Sequence, residues 1–115
     1  MTNSILANIK NMPTPIKGMG VTILSFSDRE AGTIQHVSAS GKMIRVTYDI
    51  STRIDTNGIS DVQEYTHTEN PTDDPDQHCV FTLRSNGRYV IRGGNMFHGR
   101  LLIVGSKDKY FDPHF

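Results

Sequence analysis

The residues of this chain best suited to chemistry are polar groups set at breaks between apolar runs. Ser27-Asp28-Arg29 interrupts an otherwise apolar stretch. A plain hairpin turn there would draw on Asn-Gly or other glycine chemistry. Arginine instead offers a planar fork that fits phosphate or carboxylate. A second group lies in residues 52–60, where Arg53, Asp55, Asn57 and Ser60 bring guanidinium, carboxylate, amide and hydroxyl into one loop, with Gln63 and Tyr65 just beyond. Such a set can rim a pocket in which arginines hold anionic oxygens, Asn57 and Gln63 read a polar edge, and Tyr65 stacks on a ring. Arg84, next to a further turn, joins them. The candidate ligand-binding residues are therefore Ser27, Asp28, Arg29, Arg53, Asp55, Asn57, Ser60, Gln63, Tyr65 and Arg84. The same residues also permit a purely structural use: an ion pair of Arg29 or Arg53 with Asp55, and an Asx-turn at Asn57.

Other chemistries find less support. His36, His67, His78, His98 and His114 form no H-x-x-x-H frame, and Cys79 has no C-x-x-C partner. His78 and Cys79 would face opposite sides of a strand and could not share a metal. Asp73-Asp74-Pro75-Asp76 resembles a fragment of a calcium loop but lacks the glycine and distant glutamate of an EF-hand. No nucleophile elbow, Walker loop or dinucleotide fingerprint occurs. Gly18-Met19-Gly20 precedes a strand rather than a helix, so it offers no helix N-terminus to a phosphate. No enzyme activity, cofactor or metal is expected from these patterns.

The 115 residues carry 12 Lys and Arg against 12 Asp and Glu, a formal net charge of zero. A general nucleic-acid binder usually carries a basic excess, so nucleic acid is a less favoured partner. The charge is unevenly placed. Residues 54–83 hold Asp55, Asp61, Glu64, Glu69, Asp73, Asp74 and Asp76 and no Lys or Arg. Residues 84–115 hold Arg84, Arg88, Arg92, Arg100, Lys107 and Lys109 against Asp108 and Asp112. Either the two segments neutralise each other across neighbouring strands, or the second forms a basic patch facing an anion. The single Cys79 suits a reducing compartment. With no apolar run long enough to span a bilayer and no signal-peptide pattern, a cytoplasmic location is expected.

Positioning such residues falls to short β-strands. Residues 3–11 could form a short helix or arm, with Ile5, Ile9 and Met12 on one face, ended by Pro13 and Pro15. From Gly18 the period changes. Strands are expected at residues 19–26, 31–38, 43–50, 62–68, 78–84, 89–92 and 101–104. Residues 27–30, 51–61 and 69–77 read as breaks or loops. Residues 43–50 alternate well, with Ile44, Val46, Tyr48 and Ile50 on one face. Ser85-Asn86-Gly87-Arg88 reads as a tight hairpin. The fold expected is all-β and mainly antiparallel, a small SH3-like barrel or sandwich spanning residues 16–115 after an arm at residues 1–15.

Several runs carry a family resemblance. Gly-Met-Gly-Val-Thr from Gly18 and Ser27-Asp28-Arg29-x-Ala31-x-Thr33-Ile34 resemble a group of small proteins encoded by tailed phages and prophages. So do Thr52-Arg53-x-Asp55-x-Asn57-Gly58-x-Ser60-x-x-Gln63-x-Tyr65, Phe81-Thr82-Leu83-Arg84-x-Asn86-Gly87-Arg88 and Gly105-x-x-Asp108-x-Tyr110-Phe111-Asp112-Pro113-x-Phe115. Ile54 and Ile59 stand where that pattern is more polar or flexible. The resemblance implies a phage origin and supplies no activity. By analogy with phage proteins that block host defence, the expectation is a non-enzymatic homo-oligomer in the host bacterial cytoplasm that sequesters a small anionic ligand such as a cyclic nucleotide immune signal. The alternatives are an interaction module for a host or virion protein, or for nucleic acid, and lastly a nucleotide-directed enzyme.

Overall fold

Valine, isoleucine and threonine dominate the segments that become strands, and their branched side chains pack well on a pleated surface. A computed structural model of the chain describes residues 13–25, 28–60, 62–70 and 72–110. The expected helix at residues 3–11, Ser27 and the aromatic Phe111 and Phe115 lie outside the described residues.

Among the described residues the strands are β1 (Gly20–Ser25), β2 (Asp28–Val37), β3 (Met43–Tyr48), β4 (Ile50–Arg53), β5 (Tyr65–Thr68), β6 (His78–Leu83), β7 (Tyr89–Ile91) and β8 (Leu101–Val104). Strands β1, β2, β3, β6, β7 and β8 follow one another around a closed barrel, all pairs antiparallel, and β8 pairs with β1 to close it. Strands β4 and β5 form a separate two-stranded arm, inserted between β3 and β6. The expected barrel is thus present, and the sandwich is not.

Period-2 alternation fills the interior. Val21 and Ile23 of β1, Ile34 of β2, Ile44 and Val46 of β3, Phe81 of β6, Tyr89 of β7, and Leu102 and Val104 of β8 form one buried cluster. Each fully buried side chain of this size contributes about 1.5–3 kcal/mol of transfer free energy. At Gly32, an added Cβ would sit 2.8 Å from the carbonyl oxygen of Thr47, so glycine lets β2 and β3 approach closely. The turn at residues 85–88 uses Gly87 at φ 82°, with Arg84 N donating to the Arg88 carbonyl (2.9 Å). Glycine adopts that left-handed conformation without steric cost.

Three expectations need correction. Asp28, Arg29 and Glu30 are not a break but the first rungs of β2, opposite Ser25, Leu24 and Ile23. The charges of Arg29 and Glu30 are tolerated there because the segment after β8 supplies partners, described below. The strand expected at residues 43–50 ends at Tyr48. Asp49 N donates to the Ala31 carbonyl, the chain turns, and Ile50 begins the arm, where it is 57% exposed rather than inside the barrel. Part of the 51–61 loop is therefore strand β4.

Candidate functional site

Six of the sequence-derived candidates converge in one network at the tip of the arm. Arg53 Nε donates to Asp55 Oδ2 (2.8 Å), and Asp55 also accepts from the backbone of Asn57 (2.9 Å) and Glu64 (2.8 Å). The guanidinium of Arg53, then the two N–H donors, hold the Asp55 carboxyl well below the usual carboxylate range. Asn57 Nδ2 donates to the Val62 carbonyl, Ser60 Oγ accepts from Val62 N, Gln63 Nε2 donates to the Ser60 carbonyl, and Tyr65 Oη donates to Gln63. The Asx-turn forms on Asp55, two residues before the expected Asn57. These side chains largely satisfy one another and hold the loop in shape.

The other candidates lie elsewhere. Arg29 stacks its guanidinium 4.9 Å from the Tyr110 ring centroid, and its Nε is 2.7 Å from Asp108, placed as an ion pair rather than an aligned hydrogen bond. Arg84 donates to Thr82, to the Gly94 carbonyl and to the Ile91 carbonyl at 2.8–3.0 Å. It thereby braces the backbone just before Arg92. Asp28 sits at one end of the barrel.

Three concavities can be compared on charge. The first, of about 330 Å³, separates the arm, at Gln63, Glu64 and Tyr65, from Lys107, Asp108 and Lys109. Its cations are already used: Lys107 pairs with Asp49, and Lys109 pairs with Glu30 while lying 5.9 Å from the Tyr65 ring centroid. With Glu64 and Asp108 on its walls, this cleft offers no surplus positive charge. Neither Arg29 nor Arg53 lines it.

The second, of about 320 Å³, opens at the barrel end between Ser25, Asp28, Glu30, Tyr48 and Arg100 above Ile23. Tyr48 Oη accepts from Arg100 (2.5 Å) and from the Cys79 thiol (3.1 Å). Burial, then the thiol, pushes the Tyr48 hydroxyl up to about 12. Carboxylates and guanidinium offset one another here too.

The third differs. A groove of about 330 Å³ on the outer face of β2, β3, β6 and β7 is lined, among the described residues, by His36, Met43, Arg45, Val80 and Arg92, with no carboxylate. Among the described residues neither Arg45 nor Arg92 has an ion-pair partner. Val80 lies opposite Arg45 in the ladder and accepts a backbone hydrogen bond from Arg92. Two strand spacings therefore separate the arginine backbones, roughly 10 Å. His36 reaches this face because the β2–β3 register shifts between Ile34 and His36. Strict alternation from the buried Ile34 would turn His36 inward. The bulge turns it out and lets Val37 pack on the core instead.

Sequence reasoning missed this groove. Arg92 stood only within the basic segment, Arg45 only as the polar face of a strand, and a bulge has no signature in a single sequence. Among the described residues the segmental charges do not pair with each other across strands. Among the described residues, no ion pair joins an acid of residues 54–83 to a base of residues 84–110. The topology explains this, since β4 and β5 stand in their own sheet.

Among the described residues no group of three or more His, Cys, Asp or Glu is placed to hold a metal ion, and no helix is long and apolar enough to cross a membrane. Comparison of the chain with known protein families, curated proteins and solved structures finds no match.

Proposed function

We propose that this protein is a non-enzymatic binding module that captures a small anionic ligand of the nucleotide class in the groove of His36, Arg45 and Arg92. One observation carries the reading: two guanidinium groups share a concave surface that has no carboxylate to neutralise them. Like charges held close raise the local potential, and an anion relieves it whatever the net charge of the chain. Side chains reaching inward from backbones roughly 10 Å apart can grip one phosphate or two linked phosphates. Each charge-assisted hydrogen bond contributes about 1.5–3 kcal/mol. Met43 and Val80 supply an apolar floor for the uncharged part of the ligand. With the resemblance to phage proteins, the biological form of this reading is sequestration of a nucleotide signal of host defence in the bacterial cytoplasm.

Calorimetric titration with ATP, cyclic mononucleotides, cyclic dinucleotides and inorganic phosphate tests it. Arg45→Ala and Arg92→Ala should each weaken binding at least about tenfold, equivalent to about 1.4 kcal/mol. Melting temperature should hold, because among the described residues neither side chain has an ion pair to lose. Binding of none of these ligands by the wild-type protein would remove the reading.

A second reading, docking of a host or virion protein, is favoured by the arm. Ile50, Ile54, Ile59 and Val62 are 57%, 56%, 85% and 64% exposed, and clustered exposed apolar residues mark interaction surfaces.

A further inference from the structure

Among the described residues, neither the acidic loop between β5 and β6 nor the cationic groove has an ion-pair partner, and each is what the other lacks. We infer that two copies of this chain dock reciprocally, the acidic loop of one copy, at Glu69 and residues 72–77, seated on the Arg45–Arg92 groove of the other.

Charge complementarity carries the argument. Glu69, Asp73, Asp74 and Asp76 are exposed, and among the described residues no lysine or arginine pairs with them. The groove presents Arg45 and Arg92 without a carboxylate. Among the described residues of one copy both surfaces stay uncompensated, although the total charge of the chain is zero. Two copies compensate both at once, and neutral chains approach without net repulsion.

The loop is also built to dock. Thr72 Oγ1 accepts from Asp74 N (3.2 Å), and Asp74 Oδ1 accepts from Asp76 N (3.0 Å). Gln77 N donates to the Asp74 carbonyl (3.0 Å), a ring nitrogen of His78 bonds the Thr72 carbonyl, and Pro75 stiffens the short helical turn at Pro75–Gln77. A preformed loop loses little conformational entropy on binding.

Placement makes the contact closed. Strand β6 starts at His78, and Val80 of the groove lies two residues further. Strand rise puts these two backbones about 7 Å apart. Loop and groove are therefore neighbours on one patch. A patch with a donor beside its own acceptor can meet a second copy about a two-fold axis, each giving a loop and receiving one. The dimer itself does not depend on the nucleotide reading. One consequence does rest on it: ligand phosphates and the partner's carboxylates would compete for the same arginines.

Sedimentation velocity of the full chain tests the docking. The wild type should sediment as a dimer at low salt and dissociate towards about 1 M salt, where the Debye length is about 3 Å. Arg45→Glu with Arg92→Glu should be monomeric, as should Asp73→Lys with Asp76→Lys, which leaves the Asp74 cap intact. Circular dichroism confirms that both are folded, and mixing the two variants should restore a dimer through the reversed charges. A wild type monomeric at low salt, a dimer indifferent to salt, or a dimer kept by both variants would overturn the inference. ATP, added as the probe, separates the two proposals. ATP binding by a strictly monomeric wild type would remove the dimer and keep the function. A salt-labile, variant-sensitive dimer that binds neither ATP nor any other ligand of the titration panel would keep the dimer and remove the nucleotide.

Discussion

Asp55 accepts hydrogen bonds from Arg53, Asn57 and Glu64, so one carboxylate ties the end of β4 to the start of β5. Its folded pKa lies below the unfolded value of about 3.9. The ionised form therefore stabilises the folded arm, fully above pH about 4 and progressively less as pH falls below it. Amide hydrogen exchange should show the arm protected from neutral pH down to about 4 and opening below that. Asp55→Asn should lower protection at neutral pH and flatten its pH dependence. Arg53→Ala should loosen the arm while leaving nucleotide titration unchanged, the reverse of Arg45→Ala. At this scale the sequence was half legible. The spacing of Arg53 and Asp55 already allowed their ion pair as an alternative to ligand binding, and local partners at short separation can be read from spacing. The groove arginines could not be, because their meeting depends on a ladder through Val80 and on the bulge that exposes His36.

At the scale of elements, the segment after β8 straps the outer face of β1 and β2. Gly105 N donates to the Gly20 carbonyl, Thr22 Oγ1 to the Ser106 carbonyl, and Tyr110 exchanges backbone hydrogen bonds with Arg29 where β3 has left the β2 edge. Lys107 Nζ reaches inward to Asp49 (2.5 Å) and Thr33 (3.0 Å), and Thr33 donates to the same carboxylate (2.8 Å). The Asp49 side chain is 0% exposed and that of Lys107 is 28% exposed. Removing the lysine strands a buried carboxylate, so Lys107→Ala should cost roughly 3–5 kcal/mol in denaturant unfolding. Adding Asp49→Asn to that variant should recover part of the loss, because the neutral amide needs no counter-ion. This strap explains why strand boundaries slipped in the sequence reading. The charges of Arg29 and Glu30 and the break at Asp49 look like loop chemistry until Lys107, Asp108 and Lys109, distant in sequence, are seen to meet them. Hairpins with local turns, such as β6–β7 around Gly87, were legible for the opposite reason.

For the whole molecule, the class was legible because alternation of buried and exposed positions is a local property repeated in strand after strand. Val46, read from the sequence on the apolar face of its strand, and Phe81 are both 0% exposed. Phe81→Ala should destabilise the barrel by roughly 3–5 kcal/mol, seen in chemical denaturation. Closure was legible only as a choice between barrel and sandwich, since no residue pattern says that β8 returns to β1. That closure has a consequence for how the chain is made. Val21 pairs with Val104 and Leu24 with Leu101, so the seam joins segments some 80 residues apart. Contacts this distant in sequence form late and slow folding, because a long loop must be closed before they contribute. On the ribosome, β1 emerges with one edge lacking its final partner and waits through the synthesis of every other barrel strand. Until residues 101–110 leave the tunnel, the nascent chain is an open sheet whose first edge can recruit a stray strand. Synthesis of this last segment therefore sets the earliest moment at which the protein can become a barrel.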